Sequence, residues 1–170
     1  MIDRRALLTA GVALGALMAA SKYAEAETMT TTTAQEIDYR KLTDADWRKR
    51  LSPAQYDVLR KHGTERPGTS ALNGEKRKGT FACAGCDLPL FSSDTKFESG
   101  TGWPSFYQPL PDAIETKSDR SLLMVRTEVH CKRCLGHLGH VFDDGPKPTG
   151  LRYCMNGVAL KFVPQEGGQT

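Results

Sequence analysis

The cysteines are the residues of this sequence whose type and spacing point most directly to chemistry. Four of the five form two Cys-x-x-Cys pairs, and the fifth, Cys154, stands alone in the stretch LRYCMNG. The pairs have the spacing of two metal-binding turns, which together can supply a tetrahedral site with no open coordination position. We therefore expect one structural Zn²⁺ held by Cys83, Cys86, Cys131 and Cys134.

Two other chemistries remain open for the paired cysteines. They could form two disulfides, which an oxidising compartment favours, or they could be redox-active Cys-x-x-Cys centres. A redox-active centre is disfavoured because no thioredoxin-like βαβ pattern surrounds either pair. The arrangement of both pairs as one zinc site is the prediction that the structure can test.

Cys154 is either an inert core residue or a reactive thiol. Strand alternation would put Arg152, Cys154 and Asn156 on the same face. Arg152 supplies a cation that favours a thiolate, and Asn156 supplies an amide that can orient a polar group. Such a face suits an active site better than a core, so we predict that Cys154 is a nucleophile.

Two further stretches carry candidate site residues. GHLGHVF follows the second cysteine pair directly, so a zinc ion there would fix the positions of His137 and His140. Either histidine could donate a proton near neutral pH, and the alternative is a supporting or surface role. SGTGWPSF sets Trp103 among small turn residues, where its ring either packs in the core or walls a pocket for a methyl and sulfur group.

Short helices and strands must position these residues. The stretches TDAD (43–46) and SPAQ (52–55) fit capping boxes and predict two packing helices, the second ending at a left-handed Gly63. From residue 64 onward short β-type runs alternate with turn clusters, at residues 88–91, 121–129, 139–142 and 158–163. In the last run, Val158, Leu160 and Phe162 should share one side. The sequence predicts a mainly β, mostly antiparallel domain with short N-terminal helices.

The N-terminus has the features of an export signal. Arg4-Arg5 precedes an uncharged run at 6–20 that is too short to span a bilayer comfortably, and Ala24-Glu25-Ala26 follows. This pattern resembles a bacterial twin-arginine signal, with a general secretory signal or an uncleaved anchor as alternatives. We expect a signal at 1–26, a disordered spacer at 27–41, the folded domain at 42–164 and a disordered tail at 165–170. The expected location is the periplasm or cell envelope.

The composition limits the classes of function. A chain of 170 residues with 39% apolar and 25% charged residues suits one globular domain, and a net charge of +3 is too small to argue for a nucleic acid partner. A zinc-stabilised binding module without catalysis would explain both cysteine pairs. It would not explain RYCMN, the two histidines or the tryptophan turn.

Five motifs occur in order over roughly residues 42–163: KHGTE, CAGC, GTGWPSFY, CKRC and GHLGHVFDDGPKPTGLRYCMN. With them the chain resembles the methionine sulfoxide reductase B family. The resemblance implies a β-tent fold of two antiparallel sheets, a structural zinc ion and reduction of methionine-R-sulfoxide, mainly in oxidised proteins. It also implies that Cys154 attacks the sulfoxide and is left as a sulfenic acid.

The resemblance implies roles for the other site residues as well. The substrate would contact Trp103, Phe142 and Arg152. His137, His140 and Asn156 would line the polar side, with one of the two histidines supplying the proton.

The chain departs from the family pattern at two positions. Thr101 stands where many members have a resolving cysteine, in a GCGWPSF version of the motif, and Gly157 stands where serine is usual. No other spare cysteine exists, so we expect an external thioredoxin-like or small-thiol reductant to regenerate Cys154. We also expect a monomer.

Overall fold

The computed structural model describes residues 37–120 and 124–166. The predicted signal at 1–26 lies outside these residues, as do most of the predicted spacer and tail. The described chain begins with helices α1 (Asp44–Arg50) and α2 (Pro53–Lys61) and continues with nine strands. These are β1 (Gly79–Cys83), β2 (Pro89–Ser92), β3 (Lys96–Phe97), β4 (Ser105–Phe106), β5 (Ile114–Asp119), β6 (Arg126–Cys131), β7 (His137–Phe142), β8 (Arg152–Met155) and β9 (Leu160–Pro164).

The strands form two sheets, with orders β2-β1-β9 and β3-β4-β8-β7-β6-β5. All the strand pairings are antiparallel. The core lies where the sheets meet: Phe106 of β4 stacks on Phe91 of β2 with ring centroids 4.4 Å apart and meets Phe81 of β1 edge-on at 4.9 Å. The predicted fold of two antiparallel sheets with short N-terminal helices is confirmed.

Both helices begin at the predicted capping boxes. Thr43 and Ser52 are the N-caps, and each accepts a hydrogen bond from the backbone N–H three residues later. The predicted left-handed cap at Gly63 is wrong by one residue, because His62 has φ 57°. At Gly63 a Cβ would lie 2.2 Å from Asp57 Oδ2, so a side chain there would displace the Asp57 carboxylate.

The strand predictions were less accurate than the helix predictions. The predicted run at 121–129 overlaps β6, which begins only at Arg126, and β5 was missed because IETKSD contains one large apolar residue. In the last run Leu160 and Phe162 are more buried than Lys161 and Val163, as predicted. Residues 157–159 instead form a 3₁₀ turn that buries Ala159, so the two-residue alternation starts only at Leu160.

Packing contacts begin before the predicted boundary at Leu42. The ring of Tyr39 stacks on Trp47, and the Arg40 guanidinium donates a hydrogen bond of 2.6 Å to the carbonyl of Lys132. At the other end, the backbone N–H of Gln165 donates to the carbonyl of Lys78 at 3.0 Å. Among the described residues, neither helix is long and apolar enough to cross a membrane.

Candidate active site and cysteine cluster

Cys154 belongs to a row of five polar residues that crosses five neighbouring strands. Strand pairing places Lys117 opposite Glu128, Glu128 opposite His140, His140 opposite Cys154, and Cys154 opposite Ser105. Residues directly opposite each other in antiparallel strands point to the same face of the sheet. The register therefore puts a thiol beside an imidazole and a hydroxyl, although the residues are far apart in sequence.

The half-buried Cys154 borders a pocket of about 160 Å³. This volume is below the roughly 300–1,000 Å³ of typical small-molecule sites, so it suits the end of one side chain. One wall is aromatic and the other polar, and the lining residues are Thr64, Trp103, Arg126, Gly139, His140, Phe142, Cys154 and Asn156. Of the seven predicted site residues outside the cysteine pairs, the pocket brings together five.

Gly139 allows the strand that carries His140 to approach the nucleophile strand closely. A Cβ at Gly139 would lie 2.1 Å from the carbonyl oxygen of Cys154 and 3.0 Å from the Cα of Met155. Backbone atoms at that distance cannot move aside without breaking the β7–β8 pairing. Any side chain at 139 would push these two strands apart.

His140 is oriented by a carboxylate that sequence reasoning missed. Its Nε2 lies 2.8 Å from Asp119 Oδ2, and the same carboxylate oxygen accepts a hydrogen bond of 2.7 Å from the Arg126 guanidinium. With Nε2 engaged, Nδ1 is the ring nitrogen available for proton exchange with a group in the pocket. The arrangement matches a general acid whose ring orientation is fixed by a second residue.

His137 lies behind the pocket and does not line it. It is 2% exposed, its Nδ1 lies 2.9 Å from Glu128 Oε1, and its ring meets that of His140 with centroids 5.4 Å apart. Within the described residues its buried Nε2 has no hydrogen-bond partner. Burial lowers the pKa of His137 below its usual value and outweighs the opposite effect of the hydrogen bond that Nδ1 donates to Glu128, so the ring is neutral at pH 7.

The buried carboxylate of Glu128 is the centre of a cluster formed with the buried His137 and the more exposed His62 and Lys117. Burial alone would raise its pKa, but hydrogen bonds from His137 and Lys117 lower it below the usual value. His62 Nδ1 lies 3.1 Å from the same oxygen that His137 contacts, and Lys117 Nζ lies 3.1 Å from the other oxygen. The two imidazoles and the carboxylate are close enough to hold a metal ion. The neighbouring ammonium group of Lys117 favours a hydrogen-bonded cluster instead, because it repels a cation.

Arg152 stands beside the pocket without lining it. Its guanidinium forms two hydrogen bonds of 2.8 Å to the Asp144 carboxylate and lies 4.4 Å from the centre of the Phe142 ring. These contacts hold Phe142 in the pocket wall. The pKa of Arg152 is raised mainly by its hydrogen bond to Asp144.

Glu65 holds two of the predicted site residues in place. Its carbonyl accepts a hydrogen bond of 3.1 Å from the Trp103 indole, and its N–H donates one of 3.0 Å to Asn156 Oδ1. Its carboxylate accepts from the N–H groups of Gly157 at 2.5 Å and Val158 at 3.0 Å. The amide of Asn156 also donates to the carbonyl of Leu138 at 3.0 Å, so it joins three segments beside the pocket.

The four paired cysteines form one buried cluster. All their sulfur atoms lie within 4.8 Å of one another, with separations of 3.7 Å between Cys83 and Cys134 and 3.5 Å between Cys86 and Cys131. A tetrahedral ion with bonds of about 2.3 Å requires sulfur separations of about 3.8 Å, so the cluster can hold a metal ion. No disulfide joins any cysteine of the described region, which contains all five.

Both halves of the cluster have the same local turn. The N–H of Asp87 donates to the carbonyl of Cys83, and that of Leu135 donates to Cys131, each at 2.9 Å. Asp87 and Leu135 both have φ 59°, so the residue after each second cysteine takes the left-handed conformation. Between the first two cysteines, Gly85 leaves room for packing, since a Cβ there would lie 3.3 Å from the Trp47 ring.

Residues of the site that sequence reasoning missed share one property. Glu65, Asp119 and Glu128 act through partners 7 to 93 positions away. The only available signal was weak: Glu65 ends the KHGTE motif.

The chain matches proteins of known family over most of its length. Residues 51–164 match the model of the SelR domain. The chain is 60% identical over 135 residues to "Peptide methionine sulfoxide reductase MsrB" of Pseudomonas putida (strain W619), covering 78% of this chain and 98% of that protein. It is 56% identical over 123 residues to the MsrB of Agrobacterium fabrum, covering 72% and 91%. It is 52% identical over 130 residues to "Peptide methionine sulfoxide reductase B1, chloroplastic" of Arabidopsis thaliana, covering 76% and 64%. The chain therefore belongs to the SelR family, the methionine sulfoxide reductases B.

Proposed function

We propose that this chain is a peptide-methionine (R)-S-oxide reductase that acts mainly on oxidised proteins and uses Cys154 as its nucleophile. The observation that carries the proposal is the partly exposed thiol in a small pocket between an indole and an imidazole. The rings of Trp103 and Phe142 suit a methyl group bound to sulfur, and His140 can serve the sulfoxide oxygen. A pocket of about 160 Å³ admits the end of a methionine side chain and leaves the rest of a polypeptide outside.

The reaction step is a two-electron oxygen transfer. The thiolate of Cys154 attacks the sulfoxide sulfur and forms a sulfur–sulfur bond while His140 protonates the oxygen. The protonated oxygen then bonds to the Cys154 sulfur as the sulfur–sulfur bond and the sulfur–oxygen bond of the substrate break, which leaves Cys154 as a sulfenic acid and releases methionine as a thioether. The sulfoxide is reduced by two electrons and Cys154 is oxidised by two.

We propose zinc as the ion of the cysteine cluster. Cys83, Cys86, Cys131 and Cys134 would hold it, and four thiolates with no open position give a structural ion. The main-chain carbonyls of Cys134 and Cys86 accept hydrogen bonds of 3.0 Å from Arg60 and Arg133, which bring positive charge to an anionic site. One zinc ion per chain is the expected metal content.

Regeneration is proposed to use an external thiol. Two equivalents of a thioredoxin-like or small thiol convert the sulfenic acid to the thiol, with release of water and a disulfide of the donor. This follows from Thr101, whose hydroxyl lies 3.8 Å from Cys154 Sγ where a second thiol would be needed. A disulfide between Cys154 and any cluster cysteine during turnover would contradict it.

Export through the twin-arginine route remains part of the proposal. Its support is the sequence at residues 4–26, and this route carries proteins that have already bound metal and folded. Replacing Arg4 and Arg5 together by lysine should retain the protein in the cytoplasm. Fractionation of cells that express both forms measures this, and unchanged export would contradict it.

The central test is a stereospecific assay with the separate R and S sulfoxides of a methionine peptide. The wild-type chain should reduce only the R form, and Cys154→Ser should lose that activity while keeping its zinc content and unfolding midpoint. Reduction of the S form, or full activity of the variant, would defeat the assignment. A binding module without catalysis would also show a Cys154 unreactive toward iodoacetamide.

A further inference from the structure

Three hydroxyl groups connect Cys154 to a carbonyl beneath the pocket. Cys154 Sγ lies 3.8 Å from Thr101 Oγ1, which lies 2.8 Å from Ser99 Oγ. Ser99 Oγ lies 2.7 Å from Ser105 Oγ, and Ser105 donates to the carbonyl of Trp103 at 3.3 Å. Ser105 is completely buried, whereas Ser99 and Thr101 are partly exposed.

The number of hydrogens fixes the direction of this chain in the thiol state. Each hydroxyl has one hydrogen to donate. Ser105 gives its hydrogen to the Trp103 carbonyl and must accept from Ser99, and Ser99 must then accept from Thr101. Thr101 therefore presents a lone pair to Cys154 and accepts a hydrogen bond from the thiol.

Ionisation of Cys154 reverses the direction in which the hydroxyl groups must donate, because a thiolate can accept a hydrogen bond but cannot donate one. Thr101 can donate to the sulfur if Ser99 donates to Thr101 and Ser105 donates to Ser99. This reversal loses only the hydrogen bond from Ser105 to the Trp103 carbonyl. At 3.3 Å, that bond is the longest of the three oxygen–oxygen contacts that link these hydroxyl groups and the carbonyl. It gains a hydrogen bond to a charged acceptor, which is stronger than a neutral one.

We propose that Thr101, Ser99 and Ser105 form a reversible hydroxyl chain that gives Cys154 a hydrogen-bond partner both as a thiol and as a thiolate. Thr101 is thus a positioning residue for the nucleophile. The hydroxyl hydrogens rotate and stay on their own oxygens, and the thiol proton is released to solvent. This proposal rests on the proposed role of Cys154 as the nucleophile, but the hydroxyl chain can be tested without any sulfoxide.

Substitutions in the hydroxyl chain should shift the balance between the thiol and the thiolate of Cys154 in opposite directions. Thr101→Val keeps the shape of the side chain and removes the one hydroxyl among the described residues that contacts the sulfur, so it disfavours the thiolate. Thr101→Ser keeps the hydroxyl. Ser105→Ala removes the link to the Trp103 carbonyl and leaves Ser99 free to donate to Thr101, so it favours the thiolate. A purely structural role would make the Val and Ala variants change in the same direction.

The experiment measures the rate of alkylation of Cys154 by iodoacetamide at pH 7 in the zinc-loaded full chain. Mass spectrometry of the peptide that contains Cys154 separates it from the cluster cysteines. Thr101→Val should react about tenfold more slowly, the size expected for one lost hydrogen bond to a charged group. Thr101→Ser should react within twofold of wild type, and Ser105→Ala should react at least as fast as wild type.

The matched control is Thr95→Val, because the Thr95 hydroxyl bonds only to carbonyls, those of Ser92 and Gln108, and should leave the rate unchanged. A Thr101→Val rate within twofold of wild type, or Ser105→Ala slowed like Thr101→Val, would overturn the proposal. If the alkylation rates follow the expected order but no sulfoxide is reduced, only the proposed reductase function fails.

Discussion

Replacement of Glu65 by alanine tests how the active site is held together. The Glu65 carboxylate accepts hydrogen bonds from the backbone of Gly157 and Val158, directly after Asn156. The backbone of the same residue binds the Trp103 indole and the Asn156 amide. Glu65→Ala removes the carboxylate that anchors residues 157 and 158. The hydrogen bonds from the backbone of residue 65 to Trp103 and Asn156 can still form, but within a less constrained loop.

The size of the effect follows from the two lost hydrogen bonds. A hydrogen bond to a charged group contributes about 1.5–3 kcal/mol, and the low end applies because Glu65 is only partly buried and water can reach the exposed N–H groups. Two such bonds give a loss of about 2–3 kcal/mol in the free energy of unfolding. For a domain of this size that corresponds to a fall of about 10 °C in Tm. The kcat/KM for the R sulfoxide should fall as well, because Trp103 and Asn156 lose a fixed support.

Urea unfolding at constant zinc concentration measures the stability, and the sulfoxide assay measures kcat/KM. The matched control is Glu98→Ala, since the Glu98 side chain is 62% exposed and pairs only with Lys76 and Lys96. That variant should cost less than Glu65→Ala, about 1 kcal/mol or below, because the Lys76 pair is exposed and the largely buried Lys96 keeps its 2.7 Å hydrogen bond to the carbonyl of Asn73. If Glu65→Ala is as stable and as active as Glu98→Ala, Glu65 does not anchor the site.

Three further predictions concern the metal, pH and Gly157. Removal of the proposed zinc ion by a chelator, or Cys83→Ser, should abolish the cooperative unfolding transition. Binding of a structural zinc ion supplies about 10–16 kcal/mol, whereas the free energy of unfolding of a whole domain is only about 5–15 kcal/mol. A cooperative transition that is retained without metal would contradict this. Because burial lowers the pKa of His137, the unfolded chain binds its proton first as pH falls below about 6.5. The stabilisation from the neutral ring is therefore present above that pH and lost below it. Between pH 7 and 5.5 the free energy of unfolding should fall less in His137→Gln than in the wild-type protein. An equal or larger fall in the variant would argue against the neutral ring. Gly157→Ser should lower the free energy of unfolding by about 1–3 kcal/mol, since a Cβ at this position would lie 1.9 Å from Ser70 Oγ. Adding Ser70→Gly to this variant should recover much of the loss. If the double variant shows no recovery, the strain lies elsewhere.

Features set by short stretches of sequence were predicted accurately. The capping boxes fixed both helix starts because each depends on hydrogen bonds over three residues. The cysteine pairs predicted the metal-binding cluster because each pair is one turn. Local patterns failed at β5, where both faces are largely polar and only pairing with β6 makes a strand.

The placement of the site residues depended on strand register, which local patterns do not specify. His137 and His140 looked equivalent in the sequence, yet His140 lines the pocket and His137 is buried behind it. Arg152 lies on the same face as Cys154, as predicted, but its hydrogen bonds to Asp144 hold its charge beside the pocket. These differences arise from partners that the chain brings in from other strands.

The cysteine cluster and the active site are linked through one hairpin. Cys131 ends β6, β7 begins at His137, and the turn between them is closed by the Cys131–Cys134 pair and by a 2.9 Å hydrogen bond from the Cys131 N–H to the carbonyl of Gly136. A slip of one residue in β7 would turn every side chain of that strand to the opposite face. It would put a neighbouring residue in place of His140 opposite Cys154 and remove Gly139 from the closest approach to β8. A metal ion held by the cysteine cluster would therefore influence the proposed catalysis without touching the substrate, because it would fix the turn that sets the register of His140, the proposed proton donor.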